Sequence, residues 1–181
     1  MSKGKKKKRK GGIIRGMLDT GLFILAVLLI AFIMSRFVVE RVRVHNHSME
    51  HTLEEGDSVI IDKLSYRFRE PRRYEIIVFR QKGTGEDLIK RVIGLPFETV
   101  QIIDGDFYID GERIEDAEGL DKAEYAGLAA EPVRLSVGEY FVVGDNRAES
   151  IDSRYDEVGV VTATRIEGRM LCRLGFRTNG K

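Results

Sequence analysis

The sequence holds a single cysteine, Cys172, so no disulfide can form within the chain. Its place in the apolar run MLCRL reads as that of a small buried hydrophobe. Histidine is scarce too: His45, His47 and His51 are the only three, and no cysteine or carboxylate at ligand spacing completes a structural metal site around them. There is one long apolar segment and no second of comparable length, so the chain is expected to cross a membrane once. No internal repeat appears, and low complexity is confined to the N-terminal arm. That arm lacks acid altogether. Residues 1–16 carry eight Lys/Arg and no Asp or Glu; since the whole chain sums to +1, the remainder carries −7. The pattern is a basic arm on an acidic body.

What is present explains the basic arm. Lys3 and Lys5 to Lys10 stand directly before an apolar stretch, where positive charge fixes membrane orientation. No aromatic stacking pattern accompanies them, so nucleic acid is not an expected partner. Residues 17–39 contain only Asp19 and Arg36 as charges, both near the ends. At 1.5 Å per residue that stretch spans about 35 Å, enough for a hydrocarbon core of about 30 Å. A cleavable leader is the rival reading, but no small-x-small site follows the apolar run, which continues Ser35-Arg36-Phe37-Val38-Val39. The expectation is therefore a basic cytoplasmic arm at 1–16, a transmembrane anchor at 17–39 and one extracytoplasmic domain at 40–181, long enough to bury a core.

Beyond the anchor, short apolar runs alternate with charges and turn formers, which predicts a mainly β domain. Candidate strands cover 42–44, 58–62, 75–80, 88–93, 99–103, 107–109, 140–143 and 166–174. Asp110-Gly111 between two short runs is a hairpin signal. Only 117–130, rich in Ala and Glu, has helical character, weakened by Gly119 and Gly127.

Three separated blocks carry the chemistry. The first is NHSMEHTLEEGD around Ser48, the second IKRVIGLPFE around Lys90 and the third GDNRAESIDSR from Gly144 to Arg154. A serine hydroxyl needs a base within hydrogen-bond reach. Lysine serves only when neutral, and bringing its pKa from about 10.4 to about 8 costs roughly 3 kcal/mol, a shift that burial supplies. Period-2 alternation puts Leu88, Lys90 and Val92 on one strand face, with Ile89, Arg91 and Ile93 on the other. On these residues alone, an exposed strand lysine and a turn serine remain open readings. A Ser/His pair is disfavoured, because in an extended segment His45 and His47 point away from the face of Asn46 and Ser48.

In their order and content the blocks resemble the type I signal peptidases of bacteria, membrane-anchored proteases with a Ser/Lys dyad. The likeness runs from the apolar segment to about residue 170. It implies an antiparallel β-sheet catalytic core related to the self-cleaving Ser/Lys repressor proteases, with a short variable insertion at 104–135. It also implies removal of signal peptides from exported preproteins after small residues in an Ala-x-Ala-like pattern, at the outer face of the cytoplasmic membrane, with no cofactor. By the same likeness Ser48 is the nucleophile and Lys90 the general base. Ser150 would hydrogen-bond the lysine, Asp152 and Arg154 would form an ion pair, and Asp145 and Arg147 would brace the loop. Asn46, two residues before the serine, would donate its amide to the oxyanion or else hold a turn. Small pockets would be lined from 44–46 and 73–79, and Tyr66 and Phe68 would meet the lipid surface. One departure stands out: where the family usually has proline, this chain has His51, which loosens the turn. That departure leaves a catalytically silent relative, one that binds exported segments or a partner protein, as the alternative. A self-cleaving repressor lacks support, since the chain has a membrane segment and no DNA-binding helical domain.

Overall fold

The structure, a computed structural model, describes residues 5–115 and 122–175, with side chains described for 15–33 and, within those ranges, from 38 onward. Residues 1–4 of the basic arm, 116–121 of the Ala/Glu segment and 176–181 at the end of the chain lie outside the described residues. The chain divides into two units, Met1–Val38 and Val39–Lys181.

The first unit is the helix α1, Lys5–Phe37. Its stretch Arg15–Ile33 has a mean hydropathy of 2.4 and buries none of its side chains in protein. A helix that is apolar all round has no face to prefer, which suits a uniformly apolar surrounding.

The second unit is built of strands. Among the described residues they are β1 (Val39–Arg43), β2 (Ser58–Asp62), β3 (Ile76–Arg80), β4 (Asp87–Gly94), β5 (Thr99–Ile103), β6 (Asp106–Ile109), β7 (Glu112–Arg113), β8 (Val133–Arg134), β9 (Glu139–Val143), β10 (Val161–Thr162) and β11 (Ile166–Leu174). A seven-stranded sheet runs β1-β2-β11-β3-β4-β9-β10, and a four-stranded sheet runs β7-β6-β5-β8. Every neighbouring pair is antiparallel. All eight candidate strands are present within a few residues. The two-residue strands β7, β8 and β10 are too short to leave a periodic signal. Asp110 and Gly111 both take positive φ, 51° and 85°, which is the primed-turn geometry that joins β6 to β7.

Three apolar clusters hold the second unit together. One joins the small sheet to β4 and β9 through Ile93, Val100, Phe107, Leu135 and Phe141. A second lies under the serine loop: Met49 and Leu53 pack with Val44, Val59, Ile61, Val78 and Ile89. A third gathers Ile77, Phe79, Val92, Tyr140 and Val161, with Leu88 against it. The β4 alternation follows from this division, Leu88 and Val92 entering one cluster and Ile89 another.

Three expectations need correction. The Ala/Glu segment forms no α-helix in its described part, only a 3-10 turn at Gly127–Ala130, because glycine breaks it. Cys172 is exposed rather than buried. β11 pairs with β3 only through Ile166–Arg169, so Cys172, which pairs with Ile60 of β2, lies beyond the end of that neighbour's pairing. Tyr66 is half-buried, with its hydroxyl donating to Glu75 at 2.9 Å, whereas Phe68 is exposed.

Candidate active site

Ser48 sits in the loop between β1 and β2, and that loop is anchored from below. The apolar side chains that follow the serine, Met49 and Leu53, are fully buried, and the Leu53 N–H donates to the Met49 carbonyl at 2.7 Å. Arg173 at the end of β11 closes the far side, donating to the Thr52 carbonyl at 3.2 Å and pairing with Asp57 at 2.6 Å.

Lys90 reaches the serine from β4. Pairing of β4 with β3 on one side and β9 on the other encloses it, and only 1% of its surface is exposed. Its Nζ donates to Ser48 Oγ at 2.6 Å. Burial lowers the lysine from 10.5 to about 8; the carboxylates of Asp152 and Asp145 oppose the shift and Arg154 adds to it. The pair therefore has the two attributes a hydroxyl nucleophile requires, contact with a base and a base that is partly neutral near physiological pH.

The loop after β9 supplies the frame. The Asn146 N–H donates to the Ser48 carbonyl at 3.1 Å, which ties this loop to the serine loop. Asp145 accepts from Arg91 through both oxygens, at 2.8 and 2.6 Å, and from the Thr52 hydroxyl at 2.5 Å. Asp152 receives Arg154 in the same two-pronged manner, both contacts at 2.9 Å, and takes the Gly144 N–H at 3.0 Å. Arg154 also donates to the carbonyls of Arg147 and Ser150, so a fully buried guanidinium has its donors distributed over the loop it supports. Arg147 donates to the Gly144 carbonyl at 2.9 Å and lies 5.0 Å over the Phe107 ring. Gly144 is required by closeness: a Cβ there would come within 2.4 Å of the Ser48 carbonyl and 2.2 Å of Ser150 Oγ.

Ser150 differs from expectation, and Asn46 makes the turn contact rather than the donor contact of its two expected roles. The Ser150 hydroxyl is buried but has no hydrogen-bond partner among the described residues; it packs against Gly144, and Lys90 donates to Ser48 instead. Asn46 turns its amide oxygen, not its nitrogen, toward the serine. Asn46 Oδ1 accepts the Ser48 hydroxyl at 2.7 Å and the Ser48 N–H at 3.3 Å. His51 has φ of +82°, a left-handed conformation closed to proline, so proline is incompatible with this turn rather than a support for it.

Of the histidines, His47 lies nearest the site. Its Nδ1 meets Glu50 at 2.5 Å and its Nε2 meets Glu55 at 3.5 Å. The hydrogen bond and charge of Glu50 raise its pKa above the usual value. Glu50 also accepts from the Asn146 amide at 3.3 Å, a second link between the two loops that the sequence did not signal. No group of three or more potential metal ligands occurs among the described residues.

A cavity of about 330 Å³ opens onto the pair. Gln81, Glu86, Leu88, Glu149 and Ile151 form walls around Asn46, Ser48 and Lys90. A second, of about 490 Å³, extends along Glu40–Arg43 and shares Asn46, Glu86 and Leu88 with the first. Of the expected lining, Asn46 borders both cavities and His45 the second, whereas no residue of 73–79 borders either; Ile77, Val78 and Phe79 are fully buried in the core, as is Val44 but for 3%. Leu88 and Ile151 supply the apolar walls instead, and strand alternation alone does not tell which of two apolar faces meets a cleft.

The sequence profile of signal peptidases, peptidase S26, matches residues 17–174 and so takes in all three blocks. A probable signal peptidase I-2 of Synechocystis is 34% identical over 164 residues, covering 86% of this chain and 72% of the relative. Signal peptidase I T of Bacillus subtilis is 32% identical over 158 residues, covering 83% and 81%. A signal peptidase I crystal structure from Enterococcus faecalis V583 shares 32% identity and aligns with a TM-score of 0.48, covering 57% of this chain and 98% of the other. A profile match over most of the chain, together with relatives of this identity over most of both sequences, places the protein: it belongs to the peptidase S26 signal peptidase family and is a hydrolase of the signal peptidase I kind.

Proposed function

We propose that the protein is a single-pass membrane endopeptidase that removes signal peptides from exported preproteins by means of Ser48 and Lys90. The observation that carries this reading is the 2.6 Å contact between Ser48 Oγ and a lysine buried to 1% exposure and lowered to about 8. In the proposed cycle neutral Lys90 takes the Ser48 proton as Oγ attacks the scissile carbonyl, then gives it to the leaving amine. Water, activated by the same lysine, releases the acyl-enzyme. The Ser48 N–H is a donor for the oxyanion. Asp145, Arg147, Ser150, Asp152 and Arg154 hold the loop that carries this geometry.

The small cavity beside the pair suits short side chains before the cut, in keeping with Ala-x-Ala-like sites. The Arg15–Ile33 stretch is long and apolar enough to cross a membrane, and the basic residues before it argue for an N-terminus in the cytoplasm and a catalytic unit outside. The exposed Phe68 is a candidate for contact with lipid.

The test is cleavage of a preprotein with an Ala-x-Ala junction by the detergent-solubilised full chain across pH 6 to 10. Activity should rise with pH through about 8, because only the neutral lysine is a base and its population grows there. Ser48→Ala should abolish it. Lys90→Arg should abolish it too, since guanidinium stays protonated. Cleavage by Lys90→Arg at more than about one per cent of the wild-type rate would end the lysine-base assignment.

A further inference from the structure

Asn46 makes contacts that the cleavage cycle does not use. A backbone N–H can only donate, so the amide atom that faces the Ser48 N–H is the oxygen, and the same oxygen takes the Ser48 hydroxyl proton. Two consequences follow. The hydroxyl proton points at Asn46, leaving Ser48 Oγ as an acceptor for Lys90, which is the reverse of the direction in which a general base must act. The N–H that would hold an oxyanion is likewise occupied. Asn46 lines both cavities, and its side chain is exposed, so an incoming chain meets it before it meets the serine.

We infer that Asn46 is a positioning residue that caps Ser48 in the substrate-free enzyme, holding the hydroxyl proton away from Lys90 and covering the oxyanion donor until a substrate backbone displaces it. The inference rests on the reading of Ser48 as nucleophile and extends it to the resting state. A substrate carbonyl competes directly for the Ser48 N–H, and once the amide oxygen leaves, the hydroxyl turns toward the lysine. The cap thus reserves nucleophilicity for ligands large enough to reach Asn46. A small electrophile without a peptide backbone gains no such help and meets the capped serine.

The experiment is labelling of the full chain in detergent by methanesulfonyl fluoride at pH 9, above the lysine pKa of about 8. In the labelling step Ser48 Oγ bonds to sulfur, fluoride leaves with the electron pair of its bond, and the hydroxyl proton passes to Lys90 Nζ. Because Asn46 is exposed, Asn46→Ala removes the cap without opening the core. It should label about fivefold faster than wild type, the equivalent of one net hydrogen bond. Asn46→Asp keeps both acceptor contacts and should label no faster than wild type. Loss of a merely structural contact would slow labelling in Asn46→Ala and leave Asn46→Asp near wild type. Equal or slower labelling of Asn46→Ala, with its melting temperature unchanged, would overturn the cap. If mass spectrometry finds no label at Ser48 in any variant, the nucleophile assignment falls, and the cap with it.

Discussion

Lys90 should weaken the fold it sits in. Its pKa falls from 10.5 in a solvated chain to about 8 in the folded protein, and at about 1.36 kcal/mol per unit this is a penalty of about 3 kcal/mol. At 1% exposure almost no solvent screens the side chain, so the figure needs little discount. The sign follows from proton counting. Between about 8 and 10.5 the unfolded chain binds the proton that the folded one has lost, so stability rises with pH across that window. The penalty is complete below about 8 and gone above about 10.5. Lys90→Met keeps the length of the side chain and removes the charge, at the expense of the bond to Ser48, worth about 1 kcal/mol. The variant should therefore be more stable than wild type by about 2 kcal/mol at pH 7, or roughly 6 °C in melting temperature for a unit of this size. The advantage should vanish or invert near pH 10.5. Thermal unfolding of both full-length proteins in detergent, followed by circular dichroism at pH 7, 8.5 and 10.5, measures the difference directly. Other groups titrate equally in both and cancel. If Lys90→Met is no more stable at pH 7, or the gap is the same at all three pH values, the buried-ammonium argument is refuted.

Three further substitutions test the frame around the pair. Gly144→Ala places a Cβ 2.4 Å from the Ser48 carbonyl and should lower stability by about 1–3 kcal/mol, with cleavage reduced at least tenfold; wild-type activity would contradict the packing. Asp152→Asn leaves the fully buried Arg154 without its counter-charge and should cost about 3–5 kcal/mol, read as a shifted denaturation midpoint at constant slope. His51→Pro should destabilise the serine loop by at least about 1 kcal/mol, because φ of +82° is closed to it. His51→Gly should be tolerated, and a stabilised His51→Pro would show that the turn has another form.

The strands were legible because each needs only its own alternation. The runs at 58–62, 99–103 and 166–174 match β2, β5 and β11 to the residue, since each has an apolar pattern bounded by turn formers. The two-residue strands had no such pattern to read. Site residues divide in the same way. Ser48, Lys90 and the 144–154 block stood out by their resemblance to a family, whereas the bidentate hold of Arg91 on Asp145 spans 54 positions and left no local trace. The contacts of Thr52 and Glu50 left none for the same reason. Each acts on a partner more than 90 positions away, Asp145 and Asn146 respectively.

By itself the sequence determined the apolar helix, the β-rich body and the three blocks that identify the family, because length, alternation and motif order are local properties of a chain. Tertiary structure alone decided which way those blocks act on one another. Pairing of β4 between β3 and β9 buries Lys90 and makes its ammonium a strong enough acid to lose its proton. The meeting of two loops across Gly144 sets the serine against it. The turn of one amide at Asn46 sets where the serine's proton points. Burial, approach and hydrogen-bond direction belong to contacts between distant segments, and they exist only once the chain has folded.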